Sequence, residues 1–435
     1  MKRILCCPLS SILAIVLVCH VEARSQEFQH FPPSLSMSAA VDLALQFQPS
    51  LRAAVAGVQS SGASLTLARS AYFPALSVTG SGTRTDGWFV FNPSIPPRIQ
   101  SYNTYTSTLN IQQTIYDFGK TDGRVSSAHD LYNASTIDYE SSRLNVIANA
   151  EIGYYSVLQA QRVVNVNEET LAQMQAHLKE AEAYYKVGTH PQFDVTTAQV
   201  NVANANVNLI SSKNQLRIAG LQLENSLGVH SDAPYELSDT LGVPPFSMEL
   251  DSVKIIALSM RQDLLAARAL VQSSQSLVSS ASGQRLPTLA LAGTWNWSNF
   301  NFPLESRWNA GVTFSIPVFQ GFGIDAQVDE AEANLESAKA NLSLVVENAL
   351  LDVEQNYLSL KEASDRIGAT AKLVDQASEN LKIAEGRYNF GVGSAIEITD
   401  AQVTLSSARL SNIQALYDYN TSLIKLKRAM GVLDR

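Results

Sequence analysis

The sequence predicts a mixed α and β protein made of two tandem copies of one unit, each with a two-strand hairpin and a long antiparallel helical hairpin. Three observations predict this fold class. Short motifs recur at fixed shifts, a segment of each copy alternates between apolar and polar residues, and the other segments carry apolar residues at spacings of three and four. Alternation is typical of strands and the longer spacing of packed helices, so both copies are expected to share one order of elements.

Residues 1–23 have the pattern of a secretory signal peptide. Two basic residues precede an apolar stretch, and cleavage is expected after Ala23. The apolar stretch is about half the ~20 residues that a membrane-spanning helix needs, which makes a retained anchor the weaker alternative. All three cysteines lie in this segment. Lipidation of Cys19 is a second alternative, although Val18 stands where a bacterial lipobox has a small residue. The mature chain therefore lacks cysteine, which excludes disulfides and thiolate metal sites.

Charge and hydropathy exclude other classes of protein. Charged residues make up 16% of the chain and the net charge is -9, so there is no basic field for nucleic acid. After residue 25 no run of 18 consecutive apolar residues occurs. If the protein crosses a membrane, the sequence predicts that it does so as β-strands.

The internal repeat defines the domain organisation. Residues 58–61 (Val-Gln-Ser-Ser) recur as residues 271–274, at a shift of 213, and residues 198–200 (Ala-Gln-Val) recur as 401–403, at a shift of 203. The change in shift indicates a longer insertion in the first copy, around residues 91–101. The predicted organisation is a signal peptide (1–23), a first copy (24–229), a linker rich in Pro and Asp (230–248) and a second copy (249–435).

Each copy contains one predicted strand hairpin, at about residues 75–115 in the first copy and 288–318 in the second. Apolar and polar residues alternate along strands about ten residues long, which is the length and pattern of a transmembrane β-strand. Four strands are too few to close a barrel, because about eight are the minimum. Oligomerisation is therefore predicted.

All four tryptophans lie in or beside these strands. In an exported protein the favoured interpretation is that they mark membrane interfaces. Ordinary packing between two sheets is the alternative. The predicted interface residues are Trp88, Trp295, Trp297 and Trp308.

The remaining segments are predicted to be helices. The two outgoing helices, about 122–187 and 325–390, would each be about 95 Å long at 1.5 Å per residue. The returning helices are about half as long. The leading helices, about 38–70 and 251–284, would supply the missing half if they stack end to end on the returning ones, giving a two-column rod.

The order of these motifs resembles the outer membrane factor (TolC) family. The motifs are a leading helix, Tyr72-Phe73-Pro74, two strands, Asp117-Phe118-Gly119, a long helix and a Tyr-x-x-Gly turn, and the order occurs twice. The resemblance implies a homotrimer with a 12-stranded β-barrel in the outer membrane and a 12-helix α-barrel in the periplasm. It places the linker in an equatorial belt. The second strand-to-helix junction, residues 318–323, departs from the usual pattern, which leaves its register open.

The resemblance also implies a function. The expected protein is the exit duct of a tripartite efflux or type I secretion system, located in the cell outer membrane of a Gram-negative bacterium and extending into the periplasm. Its expected partners are outer-membrane lipid, a periplasmic adaptor (membrane fusion protein) and an inner-membrane pump. No cofactor, catalytic residue or nucleic-acid partner is expected.

The turns between the long helices resemble the periplasmic tips at which this family meets its adaptor. Their glycines also fit ordinary helix C-caps, a role that adaptor contact would supplement. The residues expected to contact the adaptor are Val187, Gly188, Thr189, Phe390, Gly391 and Val392.

Glu397 and Asp400 lie three residues apart just after the second tip. Resemblance implies an acidic gate, with six carboxylates around the axis of a trimer. At about 8 Å and an effective dielectric of ~20, neighbouring carboxylates would repel by about 2 kcal/mol. The alternative is a favourable interaction with the helix dipole. In the first copy Asp194 lies near the corresponding position, but His190 interrupts the motif there. A role of His190 as a pH sensor is a further hypothesis.

Catalytic and metal-binding motifs are lacking in the sequence. There is no His-Glu-x-x-His, no cysteine pair after the signal segment and no Gly-x-Ser-x-Gly, so an enzyme is not expected. The alternative function is a periplasmic coiled-coil adaptor, which would also be exported and helical. Such an adaptor would not carry two strand hairpins with tryptophans.

Overall fold

A computed structural model describes residues 34–89, 98–230 and 236–432. The predicted signal peptide, with its cysteines, and most of the predicted insertion lie outside these residues. Within the described chain, no helix combines the length and the apolar character that a membrane crossing would require.

The same order of elements occurs in both copies, with a short strand preceding each. In the first copy the elements are β1 (Ser34–Leu35), α1 (Met37–Phe47), α2 (Pro49–Arg69), β2 (Ala75–Phe89), β3 (Arg98–Tyr116), α3 (Lys120–Lys186) and α4 (Gln192–Leu227). In the second they are β4 (Glu236–Leu237), α5 (Leu250–Met260), α6 (Gln262–Gly283), β5 (Thr288–Asn299), β6 (Glu305–Ser315), α7 (Gly323–Asn389) and α8 (Ala395–Met430).

Helix boundaries confirm the predicted repeat and fold class. The bounds of α5 lie 213 residues after those of α1, and the bounds of α7 and α8 lie 203 residues after those of α3 and α4. Helices α3 and α7 each contain 67 residues. Helices α4 and α8 each contain 36 residues, about half as many, as predicted.

Four strands form one antiparallel sheet in the order β2-β3-β5-β6. The second hairpin has strands of 12 and 11 residues, close to the predicted length. The first hairpin is longer than predicted, with strands of 15 and 19 residues. Alternation is clear only in the central part of these strands, and the polar sequence beyond it hid their continuation.

The leading helices were predicted to be continuous, and this is wrong. The first breaks at Gln48, between α1 and α2, and the second breaks at Arg261, between α5 and α6. The reason is a close approach from the returning helix. A Cβ on Gly228 would lie 2.8 Å from Cα of Gln48, and one on Gly431 would lie 2.7 Å from the Met260 carbonyl.

Each break also caps the helix that docks there. The Gln48 side chain donates to the carbonyls of Asn225 and Ser226 at the end of α4. The Arg261 guanidinium donates to the Ala429 carbonyl near the end of α8. As a result α2 begins where α4 ends, and the predicted two-column rod is formed with α1 beside the joint.

The two copies meet along α3 and α6, where small residues allow the helices to approach closely. Gly123 is buried, and a Cβ there would lie 2.7 Å from the Ser276 carbonyl oxygen. The hydroxyls of Ser127 and Ser273 are 2.7 Å apart. Lys120 donates to the Leu286 carbonyl. These contacts fix the strands of one copy beside those of the other.

Residues 236–248 of the linker form a belt that contacts α3 and α8. Strand β1 pairs with β4 in parallel, and the buried Tyr154 hydroxyl donates to the Leu35 carbonyl and to Asp239. In the second copy the Tyr419 hydroxyl donates to the Pro244 carbonyl. The belt is therefore tied to the cores of both copies.

Candidate functional site

One face of the four-stranded sheet is a continuous apolar surface. Strand register places Val78, Leu109, Trp295 and Trp308 in a single row across all four strands. An adjacent row contains residues 76, 111, 293 and 310, all of them apolar or glycine. The opposite face carries mostly threonine, serine and asparagine.

Three of the four predicted tryptophans, Trp295, Trp297 and Trp308, lie on this apolar face. Trp295 and Trp297 stack with their ring centroids 5.5 Å apart, and Trp308 lies opposite Trp295 in the register. Trp308 is 73% exposed, so the packing of a second sheet does not account for it in this chain. Trp88 is opposite Ile99 in the register, and its side chain lies outside the described residues.

Sequence reasoning missed a second set of exposed aromatic residues, at the junction between strands and helices. The rings of Tyr116 and Phe118 are 4.6 Å apart, and those of Phe319 and Phe322 are 5.6 Å apart. Part of the signal was present in the sequence, because the Tyr-Phe-Pro and Asp-Phe-Gly motifs contain Tyr72, Phe73 and Phe118. The exposed junction residues are Tyr72, Phe73, Tyr116, Phe118, Phe319 and Phe322.

Both strand-to-helix turns use two successive residues with positive φ. They are Phe118 and Gly119 in the first copy, and Gly321 and Phe322 in the second. The positions are related by the shift of 203, so the register of the second junction is unchanged and only the order of glycine and phenylalanine differs. Each phenylalanine adopts a conformation that is costly for a residue with a Cβ.

Both helical hairpins end in short turns around a glycine with positive φ, Gly188 at +79° and Gly391 at +73°. The C-cap interpretation of these glycines is thus confirmed. The residues around them expose apolar surface, and Phe390 is 86% exposed. All six residues predicted to contact an adaptor lie in these two turns.

The second tip holds Glu397 in a set of local interactions. The carboxylate accepts from the Ser394 amide in a capping box, and Arg387 Nε donates to Glu397 Oε2 at 3.1 Å. Arg387 also donates to the Val392 carbonyl. Asp400 is exposed, and its carboxylate forms no ion pair within the described chain. The two predicted gate carboxylates therefore differ in charge environment.

The two hairpins touch through a cluster of aromatic and histidine side chains just above the tips. Tyr388 of α7 lies 5.5 Å from His177 and 5.3 Å from His190, measured between ring centroids. Tyr184 stacks on His190 at 4.8 Å. The sequence suggested a pH-sensing role only for His190, because contacts between α3 and α7 cannot be read from spacing.

Within the described residues, no group of three or more His, Cys, Asp or Glu side chains is placed to hold a metal ion. The polar cavity between α3, α6, α7 and α8 is lined by Arg261, Asp263 and Asp352, among others. These three groups are engaged with one another, because Arg261 pairs with both carboxylates at 2.9 Å.

Known proteins resemble this chain along most of its length. It is 23% identical over 405 residues to the outer membrane protein TolC of Escherichia coli, covering 89% of this chain and 80% of TolC. It is 24% identical over 428 residues to the probable efflux pump outer membrane protein TtgC of Pseudomonas putida, covering 94% and 86% of the two chains.

Solved structures share the fold. The CmeC outer membrane channel of Campylobacter jejuni aligns with a TM-score of 0.83 and 20% identity, covering 91% of this chain and 85% of CmeC. The outer membrane protein VceC of Vibrio cholerae aligns with a TM-score of 0.81 and 20% identity, covering 91% and 96%. The model of the outer membrane efflux protein family matches residues 40–229 and 256–432, one match for each copy. On that match, the chain belongs to the outer membrane efflux protein family.

Proposed function

We propose that this protein is the outer-membrane channel of a tripartite efflux or type I secretion system, through which substrates leave the cell passively. The observation that carries the proposal is the exposed apolar face of a sheet that continues directly into helices of 67 residues. The face has the properties of a surface in contact with lipid, and helices of about 100 Å are long enough to extend deep into the periplasm.

Ring closure is supported by the edges of the sheet. Strands β2 and β6 are the two edges, and each leaves a row of backbone groups unpaired within the chain. In lipid such groups need partners. The internal repeat supplies a template, because β3 of the first copy pairs with β5 of the second. By the same relation, β6 would pair with β2 of the next chain.

The helices support the same closure. Helix α3 packs on α6 inside the chain, so the repeat predicts that α7 packs on α2 of the next chain. Helix α7 indeed exposes leucines spaced by seven, Leu344, Leu351 and Leu358, which is the spacing of a helix-packing stripe. Three chains would give the 12 strands and 12 helices that the family resemblance implies.

Two aromatic zones would position the channel in the membrane. The tryptophans lie in the outer part of the sheet, and the junction aromatics lie where the strands meet the helices. Aromatic side chains favour the interface between lipid and water. The second hairpin, with strands of 12 and 11 residues, has the length of a membrane-spanning hairpin. The first hairpin would continue beyond the outer surface.

The tips would receive a periplasmic adaptor, which connects the channel to an inner-membrane pump. Exposed apolar side chains at Val187, Phe390 and Val392 support this role, since a solvated turn gains nothing from exposing them. A soluble adaptor function for this chain is not favoured, because it leaves the apolar sheet face without a purpose.

The entrance would be controlled mainly by Asp400. Because Arg387 compensates the charge of Glu397, a trimer would carry three uncompensated carboxylates rather than six. The gate hypothesis is therefore kept, with three uncompensated carboxylates in place of six. The repulsion at the entrance would be correspondingly smaller than a ring of six free charges predicts.

Native mass spectrometry of the detergent-purified protein tests the ring. We expect three chains per particle, and we expect Leu351→Glu to release monomers because it places a charge in the leucine stripe. Gly368→Glu is the control, since it adds the same charge to the same helix at a site with no neighbour within 4 Å. A folded wild-type protein that remains monomeric would contradict the proposal.

A further inference from the structure

The contact between the two hairpins near the tips includes four ring side chains. The first hairpin contributes His177 and Tyr184 from α3 and His190 from the turn, and the second contributes Tyr388 from α7. The rings of Tyr184 and Tyr388 are 5.9 Å apart in an edge-to-face arrangement. This tip cluster joins hairpins that belong to different copies of the repeat.

The tip cluster is shielded from water and incompletely hydrogen-bonded. His177 is 6% exposed and Tyr388 is 3% exposed. The Tyr388 hydroxyl and Nδ1 of His190 are buried without a hydrogen-bond partner within the described chain. Packing of these rings contributes to the contact between the hairpins, and a charge placed among them would lack the hydrogen bonds that usually compensate its burial.

Carboxylates surround the tip cluster on three elements. They are Glu180 on α3, Asp194 on α4 and Glu385 on α7, and their negative charge acts to raise the pKa of His177. Burial acts in the opposite direction and is the larger effect, so the pKa of His177 lies below its ordinary value. Burial, with a smaller contribution from Asp194, raises the pKa of Tyr388 to about 12. Burial therefore favours the neutral forms of His177 and Tyr388.

We propose that the tip cluster is a pH-sensitive catch, which holds the two hairpins together at neutral pH and releases them when the buried His177 becomes protonated. The inference rests on the proposed function, in which the tips form the channel entrance. Acidification of the periplasm would then favour the open entrance independently of the adaptor. The ion pair between Arg387 and Glu397 at the second tip is not part of this catch.

The direction of the pH effect on hairpin packing follows from the number of protons that each state binds. Separated hairpins expose His177 at its ordinary pKa, so the separated state binds more protons than the packed state near pH 6. Packing is then weakened as pH falls through the ordinary histidine pKa, and it is fully restored above that value. Each unit by which packing lowers a histidine pKa corresponds to about a tenfold change in the opening equilibrium.

Hydrogen exchange of the assembled protein in detergent tests the catch. Deuterium uptake is measured for peptides covering residues 177–194 and 384–397 at pH 7.5 and 5.5, with labelling times scaled for the intrinsic exchange rate. We expect the wild-type tips to lose protection at pH 5.5, by up to about tenfold for protonation of one histidine. The double variant His177→Phe, His190→Phe should keep its protection at both pH values. His129→Phe changes an exposed histidine of the same helix and is the matched control.

Single-channel conductance of the same variants tests the catch separately from the proposal that the tips form the channel entrance. Larger conductance steps at pH 5.5 that disappear only in the histidine variants support both the catch and the placement of the channel entrance at the tips. Loss of protection without any change in conductance supports the catch and contradicts the placement of the entrance at the tips. If His177→Phe fails to assemble, His177→Gln provides the comparison, because its side chain likewise cannot be protonated. An equal loss of protection in wild type and in the histidine variants would overturn the catch.

Discussion

A Cβ added to Gly123 should force apart the helices that join the two copies. In Gly123→Ala the new carbon would lie 2.7 Å from the Ser276 carbonyl oxygen and 2.8 and 2.9 Å from Cβ and the amide nitrogen of Ser280. Two of these three atoms belong to the backbone, so no side-chain rotation relieves the overlap. Helix α3 or α6 must move.

The change in the free energy of unfolding of Gly123→Ala can be estimated from two opposing effects. Overpacking of a buried site costs about 1–3 kcal/mol. Replacing a helical glycine by alanine contributes about 0.5–1 kcal/mol in the opposite direction. Gly368→Ala, on α7, isolates the second effect, because nothing lies within 4 Å of its Cβ. The two variants should therefore differ by about 1–3 kcal/mol, with Gly123→Ala the less stable.

Thermal unfolding in one detergent, followed by circular dichroism at a fixed scan rate, provides the comparison. A fixed rate is needed because membrane-protein unfolding is often irreversible. We expect the midpoint of Gly123→Ala to lie below that of wild type and the midpoint of Gly368→Ala to lie at or above it. Coinciding midpoints for the two variants would refute the close approach of α3 and α6.

Three further predictions follow from single residues. Asp400→Asn should reduce the cation selectivity of the channel more than Glu397→Gln, because Arg387 already compensates Glu397; equal effects in ion-substitution recordings would contradict this. Burial raises the pKa of Glu151 to about 7, so the folded state holds a proton that the unfolded state releases, and stability falls as pH rises from about 4.5 to 7. Glu151→Gln should remove this loss, giving a higher unfolding midpoint than wild type at pH 8 and a similar one below pH 4.5. Phe322→Gly should stabilise the protein by about 1 kcal/mol, because φ at this residue is +64°; a lower unfolding midpoint in detergent would disprove the strain.

Local signals predicted the elements that depend on local chemistry. Apolar spacing located α3 and α7 to within about two residues, and glycines marked the tips because a left-handed residue ends each helix. The break at Gln48 also had a local signal, since the next residue is proline and the residue before a proline avoids the helical region. That signal was overlooked.

Other features depend on contacts between distant parts of the chain. No proline follows Arg261, and the helix breaks there because Gly431 approaches from 170 residues away in the sequence. The pairing of Glu397 with Arg387 needed the geometry of the turn, and the meeting of His177 with Tyr388 needed the relative rotation of two helices. Residue spacing within one helix carries no information about either.

Planar-bilayer recording of the purified, folded protein tests the central claim most directly. The proposed channel predicts discrete conductance steps that are small and cation-selective at neutral pH, with cation selectivity reduced by Asp400→Asn. A trimeric protein that inserts into the bilayer and gives no steps under any applied voltage or pH would contradict the assignment of this chain as an outer-membrane channel.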